Sequence, residues 1–318
     1  MANFLTRRSA VIHDTAWTDP DLAAALPRVR KGDIDLGPRL LRETRGDYEN
    51  RNLRAVHLSR NSVGLSAALA ARAQAAPDDQ DLALWQGANL IDEAWKIRST
   101  LRAVHVSRSQ FERFWQVLAT AYEPLERAAT LAPADPTPWA FLMQHGLGMQ
   151  RRRSDLDALW MEVVQRAPHH YSAHYRRAQT LCKKWQGSDR ELLEFGEATA
   201  ASTPSGSPLS AILVAAHFEL AASQQTTCYR YFQAAGIQAQ LAKAADAWMD
   251  SIAQHPYNIE AHHLFGAAFW LGDDHDRARR HLGAVPRQSL TYVLPWNYVN
   301  SAETADVYIN ARASLGLK

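Results

Sequence analysis

Five times along the chain an apolar-periodic stretch runs into a proline, a short polar turn follows, and a new periodic stretch begins. The phrase reads Ala76-Pro77-Asp78-Asp79, Ala132-Pro133-Ala134-Asp135, Ala167-Pro168-His169-His170, Thr203-Pro204-Ser205-Gly206 and His255-Pro256-Tyr257-Asn258. Proline lacks the N–H that a helix interior needs, so each proline closes one helix, and Asp or Asn can cap the next. Pro133 to Pro168 spans 35 residues and Pro168 to Pro204 spans 36, close to the period of about 34 residues of stacked helix pairs. The flanking intervals, 56 and 52 residues, each equal one such period plus roughly 20 more. A chain of 318 residues exceeds the usual size of one compact core, so it is either two domains or an elongated array. The proline phrase favours an irregular array. Alanine is abundant and runs of Val, Ile and Thr are scarce, which favours helix nearly everywhere. Helices are expected at 21–30, 34–45, 48–75, 80–98, 108–131, 137–150, 154–166, 170–184, 189–201, 208–224, 234–254, 258–271, 274–283 and 301–314. The Ser- and Pro-rich stretch from Ala201 to Pro208 is the clearest long loop.

Within Ile259 to Ala284, Phe265, Gly266 and Phe269 form a large–small–large pattern on a first helix. Ala278 and Leu282 give the small and large positions of a second. Small residues let two antiparallel helices approach while large ones fill the groove between them. With Pro256 as closing proline, this segment resembles the tetratricopeptide repeat, and Gly272 falls within a residue of where that repeat leaves its first helix. Trp139 and Leu142 fit the pattern after Pro133 before the register slips. After Pro168, Ala178 and Leu181 fit, whereas Arg177 occupies a position that is large and apolar in the repeat. Residues 81–210, with Trp139, Lys184-Trp185-Gln186-Gly187-Ser188 and the Ser/Pro loop, also resemble an actinobacterial helical family of unknown function. The resemblance implies an all-α fold, an irregular tetratricopeptide-like helical-repeat array, or α-solenoid, with atypical N-terminal helices and a C-terminal cap. The corresponding division is 1–76, 77–284 and 285–318.

Hydrophobic residues make up 47% and charged residues 21% of the chain, which argues for a folded protein. The net charge of +2 gives no global basicity for nucleic acid, although Arg151, Arg152 and Arg153, and Arg176, Arg177, Lys183 and Lys184, form local basic clusters. Cys182 and Cys228 stand far apart, so neither a CxxC pair nor a local thiolate metal site forms, and a reduced, cytoplasmic setting is expected. The start carries Arg7 and Arg8 but meets His13, Asp14 and Asp19 before any signal core. The apolar runs Ala211–Ala216 and Leu264–Leu271 are far short of a membrane span.

The most unusual feature is a duplication: Leu53-Arg54-Ala55-Val56-His57-Leu58-Ser59-Arg60 recurs as Leu101-Arg102-Ala103-Val104-His105-Val106-Ser107-Arg108. On a helix, Arg54 and His57 share a face, as do Arg102 and His105. Side by side, two such helices could gather four donors around a phosphate or carboxylate. The plainer reading is that Leu53, Val56, Leu101 and Val104 are equivalent core positions with polar residues flanking them.

His170 and His174, four apart, and His262 or His263 with the Asp273-Asp274-His275-Asp276 turn are candidate metal ligands. Surface and capping roles are commoner for such histidines, and no metal or other cofactor is expected. No nucleotide-binding glycine motif, nucleophile elbow or zinc-type cysteine spacing is present, and HExxH is absent. Nothing selects a catalytic residue, so no positive reason for an enzyme exists. Glu93, Glu219 and Glu260 sit beside apolar helix positions but are read as solvated or paired. Most of the ten tryptophans are read as core. Trp296, in a breaker-rich aromatic segment, is read as folding back over the last helix pair, since the end of an array exposes apolar surface.

The leading expectation is an interaction module that binds a protein or peptide on a concave face, using Arg176 and Lys183. The alternative is an enzyme or small-ligand binder whose anion pocket holds Arg54, His57, Arg102 and His105. Nucleic acid is disfavoured and no membrane role is expected.

Overall fold

The computed structural model describes residues 16–98, 107–287, 289–290 and 295–317. The chain is all-α: helix accounts for 73% of it and no strand occurs among the described residues, so every layer is helix packed on helix. Contacts cluster into two compact units, Ala16–Ser188 and Asp189–Lys318.

The first unit holds α1 (Pro20–Val29), α2 (Leu36–Glu43), α3 (Tyr48–Asn61), α4 (Ser66–Ala75), α5 (Gln80–Arg98), α6 (Arg108–Ala119), α7 (Tyr122–Leu131), α8 (Thr137–Gly148), α9 (Arg153–Arg166) and α10 (Tyr171–Leu181). Its hub is α5, which packs against α2, α3, α4, α6, α7 and α8. A helix touched on so many sides cannot keep a polar face, and Leu82, Leu84, Trp85, Ala88, Ile91 and Ala94 are all buried. Close approach depends on two glycines. A Cβ on Gly87 would lie 2.5 Å from Leu125 Cγ, and one on Gly37 would enter the Trp85 ring.

Two helices expected from the sequence are each divided in two. Residues 48–75 break at Ser62–Leu65, where Gly64 takes a φ of +97° and donates its N–H to Glu93. Trp85 Nε1 reaches Ser62 Oγ at 3.1 Å and Asn89 Nδ2 reaches Ser62 O at 2.8 Å, so α5 holds the turn in place. Residues 108–131 break at Thr120–Ala121 because Pro124 cannot donate to the carbonyl of Thr120 and its ring clashes with it.

Buried ion pairs tie the N-terminal helices together. Arg51 of α3 is fully buried between Asp81 (2.7 Å) and Asp135 (2.5 Å) and donates to Leu41 O. Arg45 adds a second contact to Asp81 at 2.6 Å.

The second unit holds α11 (Asp189–Ser202), α12 (Ala211–Ser223), α13 (Cys228–Phe232), α14 (Ala235–Met249), α15 (Asn258–Leu271), α16 (His275–Gly283), α17 (Trp296–Val299) and α18 (Thr304–Ser314). Every residue of α12 from Ala211 to Ala221 is buried, and α11, α13, α14 and α15 pack around it. The α15–α16 pair closes as its small–large pattern requires: a Cβ on Gly266 would lie 2.5 Å from Leu282 Cδ2, and Phe265, Phe269, Ala278 and Leu282 are fully buried. Beside this pair, Trp248 packs on His262 with ring centroids 4.6 Å apart and stacks on His281. Trp296 lies buried against α15 and donates to His263 Nδ1 at 2.9 Å.

Among the helices that end in a six-residue hydrogen-bonded turn, α8, α12 and α15 do so with a residue other than glycine at its left-handed position. Arg151, Thr226 and Asp274 donate to Gly146 O, Ala221 O and Phe269 O respectively. The left-handed residue of that turn is Gln150, Gln225 or Asp273, with φ of 54°, 54° and 62°. After α15 it is thus Asp273 that turns the chain, while Gly272 keeps a φ of −92°. Gly272 serves packing instead, since a Cβ there would run into Gln238.

Candidate functional site

On α11, Glu197, Ala200 and Ala201 follow helical spacing and share a face. On α14, Gln240, Lys243, Ala244 and Ala247 do the same. Both helices pack on α12, α11 closely so, because Gly196 brings it against Leu213 and Ala216. Alanine at four facing positions leaves the space between α11 and α14 unfilled. The result is a cleft of about 630 Å³, floored by Leu213 and Ser210, walled by Trp248 and rimmed by Thr203, Pro204 and Ser205. The Ser/Pro loop forms this rim because Gly206, with φ +78°, accepts the Ala253 N–H at 3.0 Å, and Ser205 meets Ser251 at 2.6 Å.

One end of the cleft is backed by a chain of side chains. Gln240 Nε2 donates to Glu197 Oε1 at 2.6 Å, Gln240 Oε1 lies 2.9 Å from His217 Nε2, and His217 Nδ1 lies 2.9 Å from the Tyr231 hydroxyl. A carboxylate only accepts, so the Gln240 amide nitrogen must face Glu197 and its oxygen must face His217. His217 therefore carries its proton on Nε2, and its bare Nδ1 accepts the Tyr231 proton. Burial pushes the His217 imidazole below its ordinary range, against the Gln240 hydrogen bond and the Glu197 charge. It is a neutral, directional link. Burial, with the Asp189 charge, pushes the Tyr231 phenol up to about 12, so it stays a donor.

The residues singled out from the sequence lie elsewhere, in the first unit. Arg54 is buried and makes a two-point ion pair with Asp19, Nε to Oδ2 at 2.6 Å and Nη2 to Oδ1 at 3.2 Å. It also reaches Leu40 O and Glu43. Burial alone would raise the Asp19 carboxyl, but the Arg54 hydrogen bond and charge outweigh it and hold the carboxyl below the usual range. His57 is buried one turn further along α3. Arg102 and His105 lie outside the described residues. The two copies of the duplicated phrase part company at their ends: Ser59 and Arg60 are inside α3, whereas Ser107 is the N-cap of α6 in a capping box with Gln110. Within the first copy, Arg54, His57 and Ser59 are themselves buried, while Val56 is only partly so. Arg176 of α10 lies 4.6 Å over the Phe141 ring and donates to Asn52 at 3.2 Å. Lys183 is exposed just after α10.

The candidate metal-ligand histidines have other duties. His170 caps α10 by accepting from Ala173 N at 3.2 Å, and His174 Nδ1 meets His170 O at 2.9 Å. His262 and His281 face each other, Nδ1 to Nδ1, at 3.1 Å. Among the described residues no three His, Cys, Asp or Glu converge on a point where an ion could sit. Glu219 is buried and accepts the Tyr298 hydroxyl. Cys182 and Cys228 are buried thiols not joined in a disulfide, and they donate to Ala178 O and Tyr298 O. No described helix is long and apolar enough to cross a membrane.

Sequence reasoning passed over Glu197, His217, Tyr231 and Gln240. The available signal was the pair of alanine-rich faces, Glu197-Ala198-Thr199-Ala200-Ala201 and Lys243-Ala244-Ala245-Asp246-Ala247. Nothing local says that the two faces meet. No family model matches the chain, and no curated protein or solved structure matches it.

Proposed function

We propose that the chain is a peptide-binding interaction module built from degenerate tetratricopeptide-like helix pairs, and that its binding place is the α11–α14 cleft. The observation that carries this reading is the cleft's make-up: an alanine-lined slot of about 630 Å³ with a polar rim, the combination that takes an apolar anchor side chain and holds the chain around it. The α15–α16 pair, closed through Gly266 on Leu282, supports the repeat reading. An anion pocket on α3 is less well supported, because Arg54 already has Asp19 and Glu43 as partners.

The test is selection from a displayed library of short peptides against the full chain, repeated with Ala247→Trp, which fills the slot from an exposed position. Enriched peptides carrying a small aliphatic residue should lose at least tenfold in affinity for that variant while its circular dichroism is unchanged. Equal binding to both proteins would sink the reading.

A further inference from the structure

The geometry points to Glu197 and Gln240 as a matched pair that reads the main-chain N–H and C=O of one residue in an extended peptide segment, with His217 and Tyr231 as the positioning residues behind it. The inference rests on the cleft being the binding place.

The Gln240 amide has four hydrogen-bonding positions, two N–H donors and two lone pairs on oxygen. Its oxygen faces the His217 Nε2–H and one N–H is given to Glu197 Oε1. A second N–H on Gln240 and the second oxygen of Glu197 remain for a ligand at the cleft. A donor beside an acceptor is the complement of one residue of an extended chain, whose own C=O and N–H point to the same side, whereas those of a single trans amide point apart. A free glutamine could flip and present oxygen instead. Here a flip would set two acceptors, the Gln240 oxygen and the Glu197 carboxylate, against each other, and two donors, the Gln240 amide and the His217 Nε2–H, likewise. The Tyr231 hydroxyl can donate or accept, so it follows the tautomer that Gln240 imposes and donates to Nδ1. Glu197 thus fixes the sense of the Gln240 amide, the buried histidine and half-buried tyrosine complete the chain behind it, and all its donors run toward the carboxylate.

The apolar floor then accounts for the side chain. An extended segment places alternate side chains on opposite faces, so the residue whose N–H and C=O are read sends its side chain into the slot lined by Ala200, Ala201, Ala244 and Ala247. A branched aliphatic of valine size suits it. The occupant is therefore an extended peptide of a partner protein with a small aliphatic anchor. A carbohydrate or nucleotide would bring hydroxyls or phosphate into the alanine-lined slot, where an aliphatic side chain fits.

The experiment compares two probes on the full chain, N-acetyl-L-valine methylamide and the ester analogue in which oxygen replaces the valine N–H, so that the valine carbonyl stays and the donor is lost. Binding is followed through the Gln240 side-chain amide resonances. The methylamide should bind at millimolar concentration and the ester at least fivefold more weakly. Glu197→Leu, which removes the acceptor for the valine N–H, should bring the two probes level, whereas Gln240→Leu should weaken both. Tyr231→Phe should shift the His217 Nδ1 resonance, which loses its donor, and weaken both probes by the same factor with the circular dichroism unchanged. Equal binding of both probes to the unaltered protein, or no binding of either, overturns the amide pair. A library-selected peptide that Ala247→Trp blocks but Gln240→Leu does not affect also overturns it, and leaves the cleft reading standing. If Ala247→Trp blocks no peptide, the cleft reading itself fails.

Discussion

Arg51 and Arg108 show how differently one residue type acts in this chain. Arg51 is fully buried between two carboxylates, whereas Arg108 is almost fully exposed beside Glu112 on the same helix. Removing one partner of a buried pair leaves an uncompensated charge in a poor solvent for it, at a cost of roughly 3–5 kcal/mol. Arg51→Met should therefore lower unfolding free energy in urea by about that much, while Arg108→Ala should change it by under ~0.5 kcal/mol. Comparable losses from the two substitutions would contradict the assigned burial. Local sequence could not separate these arginines. Both sit in polar stretches of helix, and the partners of Arg51 come from Asp81 and Asp135, far along the chain.

Helices begin and end largely where their own residues dictate. Asp19, Asp47 and Asp274 cap α1, α3 and α16 by accepting backbone N–H groups, and prolines precede the turns as the recurring phrase requires. Both missed breaks had visible causes: Gly64 in one, Pro124 in the other. The three helix ends carrying Gln150, Gln225 or Asp273 in the left-handed region store strain that a side chain creates and glycine relieves. Gln150→Gly and Gln225→Gly should each raise stability by roughly 0.5–1 kcal/mol, read as a higher thermal midpoint; a fall in both would show that those side chains hold something in place. Gly266 works in the opposite direction. Gly266→Val drives a branched side chain into Leu282 and should destabilise by roughly 1–3 kcal/mol, measured by chemical unfolding.

Across the two units, seven of the buried histidines are held neutral, chiefly by loss of hydration. His145, His174 and His262 are pushed down to about 4, and His263 and His281 to about 3. His170 and His217 are lowered as well. The unfolded chain takes up protons near pH 6.5, the folded one only far below it, so unfolding binds protons throughout that window. Stability is complete above about pH 6.5 and falls as pH drops toward 4, by up to ~1.4 kcal/mol per pH unit for each histidine. Urea midpoints at pH 7, 6 and 5 should decline steeply, with several protons bound per molecule unfolded. A midpoint at pH 5 equal to that at pH 7 would show that these rings titrate in the native state. Composition reveals thirteen histidines but not which are dry, because dryness is a property of the packed unit.

The sequence by itself determined that the chain is all-helical, where most helices stop, and that α15 and α16 would pair through small and large residues. These follow from proline, capping groups and apolar period, which act over a few residues. Only the tertiary structure decided what the polar residues do. It joined Arg54 to Asp19, brought the alanine faces of α11 and α14 to either side of α12, and lined up Tyr231, His217, Gln240 and Glu197 at the end of the cleft between them. Hydrogen bonds and ion pairs need their partners within about 3 Å, and in this protein those partners are separated by tens of residues, so only packing could choose them.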